Sequence, residues 1–143
     1  MGMLSDFVIA GQDDGPAIGA SDRPADTWAT LEAKGVDMIK LSTLYCAATG
    51  AIYSNELQES FEFVGGDEEE GPWVVKFPAQ ILSGVASISA DQIDGVAAIW
   101  AQSEELRMGH WTTAEASQFI ALLNVHAQKA IASGSALYLW MSL

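Results

Sequence analysis

Apolar positions recur along this chain with two periods, and the changes from one to the other mark out its elements. Phe7-Val8-Ile9-Ala10 is a short β-branched run followed by Gly11-Gln12-Asp13-Asp14-Gly15-Pro16, the pattern of a strand ending in a loop that runs to Pro24. Trp28 and Leu31 stand three apart between Asp26 or Thr27 and Ala33, with Gly35 just beyond, which predicts a short helix. From Met38 to Thr49 the spacing is clearer. Leu41, Leu44, Tyr45 and Ala48 fall at i, i+3, i+4 and i+7, an apolar helical stripe stopped by Gly50.

Phe61 and Phe63 alternate around Glu62 and lead into Gly65-Gly66-Asp67-Glu68-Glu69-Glu70-Gly71-Pro72, a short strand entering a solvated, mobile acidic loop. Trp73-Val74-Val75-Lys76-Phe77 predicts a second strand, and Pro78 suits the first turn of a helix carrying Ile81, Leu82 and Val85. Ser89 reads as the cap of the next helix, in which Ile93, Val96, Ala97 and Trp100 share a face and Gly109 marks the end. Thr112 or Thr113 opens the longest helix, with Glu115 in its first turn, Phe119, Leu122, Leu123, His126 and Ala130 along one side, and Gly134 closing it. Ala136-Leu137-Tyr138-Leu139-Trp140-Met141 is almost uniformly apolar, as a strand covered on both faces is. Together these elements predict a single α+β domain over residues 1–143: a small mixed sheet with the C-terminal strand near its centre, covered by about four to five helices.

Composition agrees with a packed interior, since half of the 143 residues are hydrophobic and only 17% are charged. Charge changes the functional picture. The net charge is −13 and is unevenly placed: residues 1–70 carry fourteen Asp and Glu against Arg23, Lys34 and Lys40, whereas residues 71–143 carry five against Lys76, Arg107 and Lys129. Such a field attracts a basic protein and repels nucleic acid and anionic membrane. The single Cys46 offers no internal disulfide, the N-terminus lacks a signal-peptide pattern, and no apolar run is long enough to span a membrane, so a cytoplasmic location is expected.

The order of signals in the second half, Gly71-Pro72, an apolar pentad, Pro78 with an amphipathic helix, then a long helix ending at Gly134 and an apolar terminal strand, resembles the YfbM-like family of small bacterial cytoplasmic proteins of unknown function. The Leu-rich helix closing in Thr49-Gly50 resembles that family as well. The resemblance covers about two-thirds of the chain and implies an α+β fold, a bacterial source and no assigned activity. That family's helix before Thr-Gly tends to carry a Trp and one or two His, where this chain has Leu41 and Tyr45, so nothing that depends on those groups carries over.

Candidate chemistry is sparse. Cys46 lies in an apolar helix, an environment that raises a thiol's pKa. His126 shares a face with Leu122 and Leu123, as a hydrogen-bonded core histidine does, and is the one candidate base if the protein is an enzyme with a small-ligand pocket. His110 follows Gly109 in an exposed turn. Two histidines 16 residues apart and a lone cysteine match no metal-ligand spacing, the acidic loop lacks the EF-hand alternation, and no phosphate-binding glycine pattern is present, so neither metal nor cofactor is expected.

The expected function is therefore a non-enzymatic interaction module docking a basic partner, one form of which is an immunity-type inhibitor of a nucleic-acid-degrading toxin. The expected binding residues are Glu59, Glu62, Asp67, Glu68, Glu69, Glu70 and Trp73, an aromatic anchor ringed by carboxylates. Alternatives are the His126 enzyme and a homo-oligomeric structural protein.

Overall fold

The C-terminal segment Ala136–Ser142 forms the middle strand of a five-stranded sheet. In the computed structural model, which describes residues 2–143, the chain runs β1 (Leu4–Ala10), α1 (Gly15–Gly19), β2 (Ala29–Lys34), α2 (Met38–Thr49), α3 (Asn55–Glu59), β3 (Glu62–Gly66) and β4 (Trp73–Lys76). It continues through α4 (Ala79–Ala86), α5 (Ile93–Ala101), α6 (Glu104–Met108), α7 (Thr113–Ala132) and β5 (Ala136–Ser142), with single-turn 3-10 helices at Pro24–Asp26 and Ala90–Gln92. The strand order is β2-β1-β5-β4-β3 and every pairing is antiparallel. The fold is thus α+β with the last strand central, as expected. Among the described residues the sheet is antiparallel throughout rather than mixed, and seven α-helices form rather than four or five.

Alternation along the strands separates two apolar layers. Phe7, Val75, Leu137, Leu139 and Met141 face the helices, where α7, α5, α4 and α2 pack against one another and against the sheet. Val8, Ala10, Val74, Ala136, Tyr138 and Trp140 face the other way, where Ile18 of the short α1 covers them. Covered on both sides, β5 is buried except at its last residue. Fully burying a side chain such as Leu139, Ile120 or Leu123 contributes roughly 1.5–3 kcal/mol, so this double layer supplies most of the driving force.

Capping fixes the helices where the sequence signals it. Thr112 Oγ1 accepts from the Glu115 amide at 3.0 Å while Glu115 Oε1 accepts from the Thr112 amide at 3.0 Å, a reciprocal box that starts α7. Asp37 Oδ1 accepts from the Lys40 amide at 2.9 Å at the head of α2. The indole of buried Trp100 donates to the Lys40 carbonyl and Thr43 Oγ1, both at 3.0 Å, locking α5 onto α2.

Five expectations need correction. Residues 27–33 form no helix: Ala29–Lys34 is an edge strand paired with β1, because Ala29, Leu31 and Ala33 also satisfy a two-residue period. The first strand begins at Leu4 rather than Phe7, since the Ser5 hydroxyl accepts from the Val36 amide at 2.9 Å and so can be buried. Gly15–Gly19 is a helix inside the expected loop. The helix through Trp100 stops at Ala101, and Ser103 caps a separate α6 that ends at Gly109. On α7, Leu122 is 51% exposed, and the buried face runs through Phe119, Ile120, Leu123, Asn124 and Ala127. Asn124 Nδ2 donates to the carbonyls of Val85, Ala86 and Ile88 at 2.8, 3.2 and 2.9 Å, satisfying the end of α4.

The second layer depends on glycine. A Cβ at Gly19 would overlap the Gly66 amide, and one at Gly65 would overlap the Gly15 carbonyl. Backbone meets backbone where α1 crosses β3, so Gly65-Gly66 is a packed strand end and not the start of a loose loop.

Candidate functional site

The β3–β4 hairpin carries most of the residues that the sequence points to. Its acidic turn is ordered. Asp67 Oδ1 accepts from the amides of Glu69 and Glu70 at 2.8 and 3.2 Å, and the Gly71 amide donates to the Asp67 carbonyl at 2.9 Å. Those amide hydrogen bonds hold the Asp67 carboxyl below its usual range. Asp67 therefore shapes the turn, while Glu68, Glu69 and Glu70 stand exposed to solvent. The half-buried Trp73 lies under this turn, its indole N–H donating to the Glu68 carbonyl at 2.9 Å.

Beside Trp73 opens an apolar cleft of about 510 Å³, walled by Met3, Met38, Met141, Phe61 and Phe63, with Glu59 at its border. The cleft exists because α3 is only one turn long and covers little of the sheet where β3 forms its edge. Phe63 on this edge strand is 39% exposed. Three of the chain's five methionines meet here from β1's approach, the first turn of α2 and the end of β5. Methionine is the side chain that best adapts to varied apolar shapes.

Glu59 and Trp73 thus line one cleft, and the Asp67–Glu70 turn is tied to it by the Trp73–Glu68 bond, with Asp67 itself lining a separate depression beside α1. Glu62 is not among them. It stands opposite Lys76 in the β3–β4 ladder and lines a depression on the other face with Lys76 and Tyr138, because adjacent strand residues point to opposite faces. There Asp13 joins it: burial raises the Tyr138 phenol most, a backbone hydrogen bond at Asp14 opposes it next, and the carboxylates of Asp14, Asp13 and Glu62 raise it by smaller amounts. Among the described residues the only ion pairs are those of Arg23, with Asp26 at 2.6 Å and Glu32 at 3.6 Å, so the carboxylates of the hairpin are not neutralised internally. The methionines escaped the sequence reading, since each lies in a different element and none has a local signature.

A second concavity, of about 280 Å³, opens on the opposite face of the sheet beyond the reach of α1. Register places Glu32, Asp6 and Trp140 in one row across β2, β1 and β5. All three line the pocket, together with Leu4, Arg23 and Lys34. Asp6 is only 5% exposed, and burial, then the facing Glu32, push its carboxyl up to about 6 against a weaker pull from Arg23. The Trp140 indole nitrogen is buried with no hydrogen-bond partner. The signal in the sequence was a charged residue inside a β-branched run, visible only once the strand is extended back to Leu4.

His126 Nε2 lies 2.7 Å from the Phe7 carbonyl, and because a carbonyl only accepts, the nitrogen donates and ties α7 to β1. Burial lowers its pKa, the Phe7 bond partly opposing and Lys129 adding to the shift. Cys46 is half-buried, and burial raises its thiol. Among the described residues no three His, Cys, Asp or Glu side chains are grouped as a metal ion requires, and no helix is long and apolar enough to cross a membrane. No protein-family model, curated protein or solved structure matches the chain, so the resemblance to the YfbM-like family rests on the sequence signals alone.

Proposed function

We propose that this protein is an interaction module that docks a basic protein segment, with the cleft beside Trp73 receiving an apolar anchor and the carboxylates around it holding flanking Lys or Arg. The observation that carries this reading is the coincidence of a methionine-walled apolar cleft with unneutralised acids at its border, Glu59 on one side and the Glu68–Glu70 turn next to Trp73. Each part answers a different need. Apolar surface leaving water supplies affinity, and carboxylates in an unscreened field speed encounter and orient the partner. A second copy of the chain is a poor occupant, because at a net charge of −13 the same acids would face each other.

Trp73 is the expected centre of the binding energy, being aromatic, half-buried and fixed by its bond to Glu68. Fluorescence anisotropy with a labelled synthetic Lys/Leu amphipathic peptide tests the proposal. Binding should weaken steeply between about 0.01 M and 1 M salt, as the screening length falls from about 30 Å to 3 Å. Trp73→Ala should weaken it by about tenfold or more. The surface variant with Glu68, Glu69 and Glu70 all changed to Gln, which leaves the cleft walls intact, should mainly slow association. Salt-insensitive binding, or binding unchanged in both variants, contradicts the proposal.

A further inference from the structure

Helix α7 is buried along one side only, and we infer that its outward side is where two copies of this chain meet, packed as an antiparallel helix pair about a two-fold axis. The inference is independent of the docking proposal, since α7 contributes no residue to the methionine cleft.

The helical period defines the surface. Ala116, Ile120, Leu123 and Ala127 are fully buried and turn to the core. Opposite them run Glu115, Gln118, Leu122, Val125, Lys129 and Ala132, all exposed, at alternating steps of three and four residues. That is the spacing of a coiled-coil seam, here with its large apolar side chains in the middle and its charged ones towards the ends. Leu122 is 51% exposed and Val125 50%, and standing three apart they form one patch rather than two isolated contacts.

Charge identifies the occupant. The chain has nineteen Asp and Glu, yet none lies beyond Glu115, and Lys129 is the only charged side chain of residues 116–143. Asp94, which accepts from the Ser117 hydroxyl at 2.6 Å, stands on the flank towards α5, about a third of a turn away from the seam. In a protein of net charge −13, this is a face that two copies can bring together without opposing their carboxylates. A basic partner finds little to pair with here, which separates this surface from the methionine cleft.

The seam is also complementary to itself. With Leu122 of one copy against Val125 of the other, an antiparallel pair sets Gln118 against the partner's Lys129. It also brings Glu115 within one turn of the partner's Lys129, and symmetry makes each contact twice. Both charges are available: the capping box uses Glu115 Oε1 and not Oε2, and among the described residues Lys129 forms no ion pair. A 20-residue helix is about 30 Å long, so the contact stays below about 1,200 Å² of total buried surface and the dimer forms reversibly. The carboxylates off the seam repel at longer range, so added salt tightens the pair.

Sedimentation velocity of the full chain tests this. Between about 0.01 and 1 mM, the range in which so small an interface associates, the sedimentation coefficient should rise from that of a monomer to that of a dimer and no further. The rise should come at lower protein concentration in about 0.5 M than in about 0.05 M NaCl. Leu122→Glu should keep the chain monomeric throughout. Lys129→Glu, which faces Glu115 with a like charge, should raise the dissociation constant about tenfold or more. Met108→Glu adds the same charge type on exposed α6 and should leave association unchanged. Lys129 is exposed, so its variant carries the test should Leu122→Glu fail to fold. A monomer at every concentration, association that weakens with salt, association that persists in both α7 variants, or an equal loss in Met108→Glu overturns the inference.

Discussion

Asp6 on β1 and Glu32 on β2 face each other directly across the antiparallel ladder, two carboxylates where a stability-optimised sheet would place opposite charges or apolar side chains. The Asp6 carboxyl, buried and repelled, is raised from 3.8 to about 6. Its folded-state pKa lies above the unfolded one, so the folded protein holds the proton more tightly. The resulting stability is fully present below pH 3.8 and is lost as pH rises through about 6.

Asp6→Asn should accordingly stabilise the protein at pH 7. Allowing for solvent that reaches the carboxylate through the open pocket, the gain is about 1–2 kcal/mol. Urea denaturation of both proteins checks this, and the difference between them should shrink at pH 4. A variant less stable than the parent at pH 7 would mean that Asp6 is a structural partner and not a strained group.

His126 acts with the opposite sign. Its pKa is lowered from 6.5 in the folded state, so its contribution is present above 6.5 and is lost as pH falls through the folded value. Removing it by His126→Gln, which keeps an N–H for the Phe7 carbonyl, should flatten the decline in melting temperature below pH 6.5 while costing little at pH 8. An NMR titration in which the ring protonates at 6.5 or above would contradict this.

Two glycines in the same protein should respond to alanine in opposite directions. At Gly65 a methyl would overlap the Gly15 carbonyl, backbone against backbone, so Gly65→Ala should destabilise by about 1–3 kcal/mol or more. At Gly95, inside α5 with nothing within 4 Å, Gly95→Ala should stabilise by about 0.5–1 kcal/mol. Thermal melts of the pair test whether α1 crosses β3 as closely as described.

How far the sequence foretold this molecule depends on whether the signal was local. The stripe of α2, the Thr112–Glu115 box of α7 and the apolar run of β5 were legible because period and cap agree within one element. Residues 27–34 were not, since Trp28 and Leu31 fit a helix while Ala29, Leu31 and Ala33 fit a strand, and pairing with β1 decides between them. Helix α1 was hidden because Gly15, Pro16 and Gly19 are turn signals taken alone, and only the crossing of β3 gives those glycines their purpose. The candidate cleft was half legible. Trp73 beside a run of acids stands out in the chain, but Met3, Met38 and Met141 become neighbours only through the sheet and α2.

The central claim is that the methionine-walled cleft, and not some other apolar surface, receives a basic partner. Methyl NMR tests it most directly, because three of the five methionines line the cleft while Met108 lies outside it, 73% exposed on α6. Titration with the Lys/Leu amphipathic peptide should shift the Met3, Met38 and Met141 methyl signals together and leave Met108 in place. Perturbation of Met108 with the cleft methyls unmoved, or no perturbation of any of them, would contradict the account.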